Sequence, residues 1–222
     1  MKRTVSILVA TLMLFAVGAF ADTVYNSFTT YQPYWHPLGY PNTSTYGETF
    51  NAPSNGDVYL QSFSLYLAGP YSSGDIIMSA YIAQWTGTHA GTLLYSSAPF
   101  DYPNTGNAEL TFGPNLNIPL TPGGSYVAFL SISNYYGQSL GESYISIGNG
   151  TIPGGSFVYY NNAGNFNELF TNSWDGIGLQ PDLAFTADFS SGTGSTPEPG
   201  TLLLLGTGLI GAVGALRRKM NL

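Results

Sequence analysis

The chain has 222 residues, five Lys+Arg against twelve Asp+Glu, two His and no cysteine. The basic residues lie only near the two ends (Lys2, Arg3, Arg217, Arg218, Lys219), so residues 22–196, which hold every acid except Glu198, carry a formal charge of −11. That excludes a Lys/Arg footprint for nucleic acid, Lys/Arg–carboxylate bridges inside the domain and, without cysteine, disulfides, thiolate metal sites and cysteine nucleophiles.

Taken in chain order, Met1-Lys2-Arg3 is a positive start followed by an apolar run over 5–20 and by Ala19-Phe20-Ala21. A basic n-region, a short h-region and an A-x-A site predict a secretory signal peptide over 1–21, an N-terminal helix cleaved after Ala21. The chain from residue 22 to 189 then reads as strands separated by turns. Residues 61–67 alternate, with Phe63, Leu65 and Leu67 on one face, and 76–85 form a longer strand with Ile76, Met78, Ala80 and Ile82 facing inward. Further strands are predicted around 48–50, 92–97, 116–120, 125–132, 144–147, 157–160 and 183–189. Gly69-Pro70, Ser73-Gly74, Gly113-Pro114, Pro122-Gly123-Gly124 and Pro153-Gly154-Gly155 supply turn signals. With no amphipathic helix and no fixed-period repeat, the prediction is an all-β domain, a single β-sandwich.

Residues 190–196 (SSGTGST) have a flexible linker composition. Beyond them come Pro197-Glu198-Pro199, an apolar stretch over 201–216 and the basic group Arg217, Arg218 and Lys219. As a helix the stretch would be about 24 Å long against a hydrocarbon core of about 30 Å, a short transmembrane helix. The basic end stays cytoplasmic by the positive-inside rule, leaving the acidic domain outside. Gly206, Gly208 and Gly211 match G-x-G-x-x-G, but no acidic residue follows to hold a ribose, so a dinucleotide site is excluded.

The ordered set of Pro197-Glu198-Pro199, Leu/Gly-rich span and basic end resembles the PEP-CTERM sorting signal of diderm bacteria, over 197–222. The resemblance implies export through the Sec machinery, transient residence in the inner membrane and handling by exosortase. It further implies delivery to the cell surface or an exopolysaccharide matrix, as in biofilms. Pro197, Glu198 and Pro199 would be substrate residues, and Arg217, Arg218 and Lys219 the cytoplasmic stop. Stretches 47–50 (GETF), 60–67 (LQSFSLYL), 81–85 (YIAQW), 120–129 (LTPGGSYVAF) and 181–185 (PDLAF) are similar to jelly-roll-like domains of such proteins.

Chemistry is sparse. Neither His36, expected in a packed loop, nor His89, expected in a polar turn, sits in a nucleophile motif, and Gly141-Glu-Ser143 lacks the closing glycine of an elbow. No two acids lie closer along the chain than Asp182 and Asp188, so no single strand offers a glycosidase pair. The reading is of a protein that is not an enzyme, with no catalytic or metal-ligating residues and no required cofactor. Residues 161–168 (NNAGNFNE) are the densest run of hard oxygen ligands, a weak Ca²⁺ candidate. The expected role is structural or adhesive. The alternatives are a carbohydrate-binding module and, behind it, a secreted glycoside hydrolase. Sugars stack on aromatic rings beside hydrogen-bonding groups, which makes Trp35, Trp85 and Trp174, the last followed by Asp175, candidate glycan contacts; the favoured reading has the tryptophans capping the core.

Overall fold

The structure, a computed structural model, describes residues 22–31, 34–138, 140–179 and 182–192, with 177–179 described in backbone only. The signal segment with Ala19 and Ala21, the Pro197-Glu198-Pro199 motif, the 201–216 span and Arg217, Arg218 and Lys219 all lie outside them. Among the described residues fourteen strands follow in order. They are β1 (Thr23–Asn26), β2 (Tyr34–Gly39), β3 (Thr45–Asn51), β4 (Tyr59–Ser72), β5 (Ile76–Trp85), β6 (Ala90–Ser96) and β7 (Phe100–Tyr102). Then come β8 (Asn107–Phe112), β9 (Ile118–Pro119), β10 (Ser125–Ser131), β11 (Glu142–Ser146), β12 (Ser156–Tyr160), β13 (Asp175–Leu179) and β14 (Phe185–Ser190). Short 3₁₀ turns occur at Ser133–Tyr135 and Phe166–Phe170.

The strands form two antiparallel sheets packed as a sandwich. The first runs β1-β14-β4-β11-β2, with β8 and β9 also paired to β4; the second runs β13-β12-β3-β10-β5-β6, with β7 on β5. β4 is the spine of the first sheet: β14 pairs with Tyr59–Leu65 and β11 with Leu67–Ser72, while β8 pairs with Phe63–Ala68. The main core lies between the sheets and contains Phe63, Leu65 and Leu67 from β4 and Ile76, Met78, Ala80 and Ile82 from β5, the inward sets that alternation predicts.

Three expectations need correcting. Gly69-Pro70 is not a turn but continues β4. Opposite β11 that strand carries one extra residue between Leu67 and Pro70 and another between Pro70 and Ser72, and Gly69, at φ +89°, adopts a backbone that a side chain would disfavour. The segment around His36 is not a packed loop but β2, which among the described residues ends its sheet, the edge position where Pro37 is tolerated. β1, β7, β8 and β13 were not anticipated, being short or strongly polar, and β9 is shorter than the predicted 116–120 strand.

The second sheet is also covered on its outer face. Tyr81 and Ala83 of β5, Val127 and Phe129 of β10 and Val158 of β12 form a second apolar cluster with Leu169 and Trp174. Strands buried on both faces lose clean alternation, which is why 76–85 and 125–132 read as near-continuous apolar runs.

One carboxylate points into the main core. Glu48 lies on β3 between Tyr46 and Phe50, which share its face, and is fully buried. Its Oε2 accepts the Leu183 N–H at 2.8 Å, while Oε1 has no partner. Burial, and then the neighbouring Asp182, push its pKa well above the usual carboxylate range. Asp182 is raised as well, by burial, although it accepts the Ile152 N–H at 3.0 Å. No Lys or Arg exists among the described residues to compensate either charge.

The folded state therefore holds these protons more tightly than the unfolded chain. The stability linked to them is fully present below the unfolded carboxylate value of about 4 and is lost as pH rises through the higher folded value. The denaturant midpoint should fall from mildly acidic to alkaline pH. Glu48→Gln, which keeps an acceptor for Leu183 without the charge, should flatten that slope and raise the midpoint at pH 8. Urea unfolding of both proteins across pH checks this; an unchanged slope in the variant would show that Glu48 is not its source.

Candidate functional site

Two of the predicted tryptophan contacts, Trp85 and Trp174, belong to the covered face of the second sheet. Trp174 is 2% exposed. Its Nε1 donates to the Leu169 carbonyl at 2.9 Å and its backbone N–H to the Thr88 carbonyl at 2.8 Å. Its ring meets Phe129 edge-on at 5.3 Å and Trp85 at 5.6 Å. It thus offers no free face to a ligand: its indole pins the 161–174 segment over β5 and β10, as the core-capping reading has it. Trp85 is half-buried against it, and Asp175 is exposed at the start of β13. His89 lies in the turn between β5 and β6, with Nδ1 3.0 Å from the Thr88 hydroxyl.

Asn162 and Glu168 of the 161–168 run bond within the domain. Asn162 is buried; its Nδ2 donates to the Ser133 hydroxyl at 2.7 Å and its Oδ1 accepts from Thr45 at 3.1 Å. Glu168 Oε2 accepts from the Tyr160 hydroxyl at 3.4 Å. Among the described residues, no group of three or more His, Cys, Asp or Glu side chains comes together to hold a metal ion.

A different set of aromatics stands free, on the outer face of the first sheet where β4, β11 and β2 lie side by side. Tyr34 is 43% exposed, Trp35 40% and Tyr71 52%. With Tyr144, His36, Pro37 and Asn42 they line an open cleft of about 460 Å³. Tyr144 is its centre: its ring lies 4.3 Å from Tyr34, tilted, and 5.2 Å from Tyr71, edge to face. These two contacts make a strip of three rings. Trp35 flanks the strip, its ring 5.7 Å from core Phe157 and so anchored at the sandwich edge.

The backbone explains the gathering. Bulges turn side chains away from strict alternation, and the irregular pairing of β4 with β11 brings Tyr71 out beside Tyr144. A second register shift, where β11 meets β2 between Tyr144 and Ile145, leaves His36 as the extra residue of β2. Gly39, at φ +144°, pairs with Glu142, and a Cβ there would come within 2.4 Å of the Gly141 carbonyl and 2.8 Å of the Glu142 Cα, so only glycine lets β2 approach β11 this closely. Asn42 Nδ2 donates to Glu142 Oε1, putting an oriented amide at the cleft's rim. Behind Glu142, Asn104 Nδ2 donates to the carbonyls of Ser72 and Glu142, at 2.7 and 2.9 Å.

Desolvation, followed by the neighbouring phenols of Tyr34 and Tyr71, pushes the Tyr144 pKa above its ordinary value, so this hydroxyl is a neutral donor at physiological pH. Elsewhere on the same outer face a tyrosine is covered rather than open. Tyr66 is stacked by Phe28 at 4.0 Å, donates to Glu109 Oε1 at 3.0 Å and is pushed up to about 12, chiefly by burial.

Of this site sequence reasoning named only Trp35; it missed the tyrosines because Tyr34-Trp35-His36-Pro37 carries no alternation and Tyr71 stands just past an apparent turn signal. Three exposed aromatics in a row are the one local signal that could have drawn attention to it.

Comparison with known proteins gives a family-model match at residues 195–219, described as the PEP-CTERM protein-sorting motif. The chain thus bears the mark of an exosortase-sorted surface protein. No curated protein matches. Among solved structures, the chain is similar to a variant of the clostridial cysteine protease Cwp84 after propeptide cleavage. The identity is 11% and the TM-score 0.47, over 77% of this chain and 40% of that one. It is also similar to the cysteine protease and lectin-like domains of Cwp84, a surface layer associated protein of Clostridium difficile, at 12% identity and TM-score 0.42, over 68% and 32%. The chain spans less than half the length of either.

The two groups of aromatics should respond differently to truncation. Trp174→Ala should cost about 3–5 kcal/mol of stability, the range for emptying a buried large aromatic site. Tyr71→Ala should cost within about 0.5 kcal/mol, as for an exposed position. Urea unfolding of both variants separates them, and equal losses would contradict the burial described.

Proposed function

We propose that this sorted surface protein works as a structural and adhesive component of the cell envelope or exopolysaccharide matrix of a diderm bacterium, gripping carbohydrate through the tyrosine cleft. The observation that carries the reading is the open strip of Tyr34, Tyr144 and Tyr71, bordered by Asn42 and His36. Sugar C–H faces stack on rings, and sugar hydroxyls need both donors and acceptors. The cleft supplies ring faces, phenol hydroxyls and an amide held in place by Glu142.

The route to the surface is part of the proposal. The signal peptide over 1–21 directs Sec-dependent export. The 201–216 span holds the protein in the inner membrane, with Arg217, Arg218 and Lys219 on the cytoplasmic side. Exosortase then acts at Pro197-Glu198-Pro199, and the domain passes outward. In this reading the protein binds and does not turn over its ligand, and no cofactor takes part.

Tyr144→Ala and Tyr71→Ala together should weaken retention on affinity gels containing the host's own polysaccharide by about tenfold, from the ~0.5–1.5 kcal/mol that each aromatic contact is worth. Trp85→Ala should leave retention unchanged. Release of sugar from that polysaccharide, abolished by one carboxylate substitution, would instead support the hydrolase reading. For sorting, replacing Pro197, Glu198 and Pro199 by alanine should leave full-length protein in the membrane fraction. Intact mass of the surface and membrane fractions decides this, and unchanged release would remove the processing step.

A further inference from the structure

We propose that the ligand of the cleft is the interior of an uncharged polysaccharide chain, and that Glu142 is the residue that turns anionic polymers away. The inference rests on the carbohydrate reading above and narrows it to a class of ligand.

Two observations give the charge. From residue 22 to residue 192 there is no Lys or Arg, so no guanidinium or ammonium among the described residues can meet a uronate, sulfate or phosphate on an incoming chain. Of the cleft's lining, His36 alone can carry a positive charge, and the lining otherwise offers neutral groups. The rim's Asn42 is bonded by an acid that is itself 6% exposed. Glu142, on β11, is held against Asn42 by the hydrogen bond to its Oε1, and the adjacent Gly141 N–H donates to the carbonyl of Asp75, an exposed acid at the mouth of β5. A carboxylate within a Debye length of about 8 Å repels an anionic polymer. A neutral chain meets no such penalty, and its hydroxyls both donate and accept.

The shape gives the rest. Tyr34 and Tyr71 stand on opposite sides of Tyr144 at 4.3 and 5.2 Å, so the ring strip is longer than a single ring contact. Both flanking tyrosines remain over two-fifths exposed, so nothing among the described residues closes the strip over them. An open strip of this kind accepts a chain running across it, whereas a chain end or a free monosaccharide fills only part of it. For a matrix protein this is the useful mode, because the interior of a polymer offers many equivalent places to hold.

The test uses the full chain in detergent, run on native affinity gels. The neutral gels contain hydroxyethylcellulose, galactomannan, xylan or soluble α-glucan; the anionic gels contain polygalacturonate or alginate. Retention by at least one neutral polymer is expected to be about tenfold tighter than by either polyuronate at low salt, and insensitive to added NaCl. Monosaccharides should not compete at concentrations where the polymer's oligomers do. Glu142→Gln, which can keep the contact with Asn42, should narrow the gap by strengthening polyuronate retention. Equal or tighter binding of polyuronate, or competition by the free monosaccharide as strong as by oligomers, would overturn this inference and leave the carbohydrate reading standing. Retention by none of the polymers, with Tyr71→Ala migrating as the parent does, would overturn the carbohydrate reading itself and this inference with it.

Discussion

The structure depends on apolar packing across both faces of one sheet. Residues 22 to 192 contain no Lys or Arg, so cohesion comes from side-chain burial and backbone pairing rather than from Lys/Arg ion pairs. β5 and β10 are the clearest instance. Ile76, Met78, Ala80 and Ile82 fill the core between the sheets, while Tyr81 and Ala83 lie under a lid whose pin is Trp174. The indole hydrogen bond to Leu169 and the edge contacts to Phe129 and Trp85 make that lid part of the fold. The same absence of cations explains why Glu48 and Asp182, buried side by side, have elevated proton affinities: a buried carboxylate without a counter-charge is driven toward its neutral form.

Against this background the first sheet presents a contrast. Part of its outer face is covered, with Tyr66 under Phe28. At the edge, where β4 and β11 pair irregularly and β2 contributes its own bulge, Tyr34, Tyr71 and Tyr144 are left open. Aromatic side chains in the chain thus serve two ends: those on the second sheet buttress the sandwich, and those at the first sheet's edge form a surface. Irregular pairing separates the two uses, since a regular β4 would keep alternating past Leu67. The sorting motif at the far end and the ring strip on the domain complement each other in the proposed role, one supplying an address and the other a grip on matrix polymer.

Much of the plan was legible in the residues alone. The pleat of 76–85 placed four side chains in the core correctly even though both faces of the strand are covered, because successive side chains of a strand point to opposite faces whatever the partner strands are. The strands at 125–132 and 157–160 were equally plain. Other parts were not legible, each for a physical reason. Gly69-Pro70 looked like a turn because glycine and proline favour turns and bulges alike, and only the pairing partner decides between them. Trp174 could be read as a core cap, the favoured reading, or as a contact residue, because a tryptophan beside an acid is locally the same whether it is covered or open.

By itself the sequence determined the sandwich class, the inward face of its longest uninterrupted strand, the exclusion of Lys/Arg ion pairing from the domain and the sorting tail. These follow from composition, local period and short ordered motifs, which involve no distant partner. Only the tertiary structure decided which aromatics are buried and which form a site. Tyr34, Tyr71 and Tyr144 stand far apart in the chain, and they meet because β2, β11 and β4 pair in a register set by bulges that a local pattern does not encode.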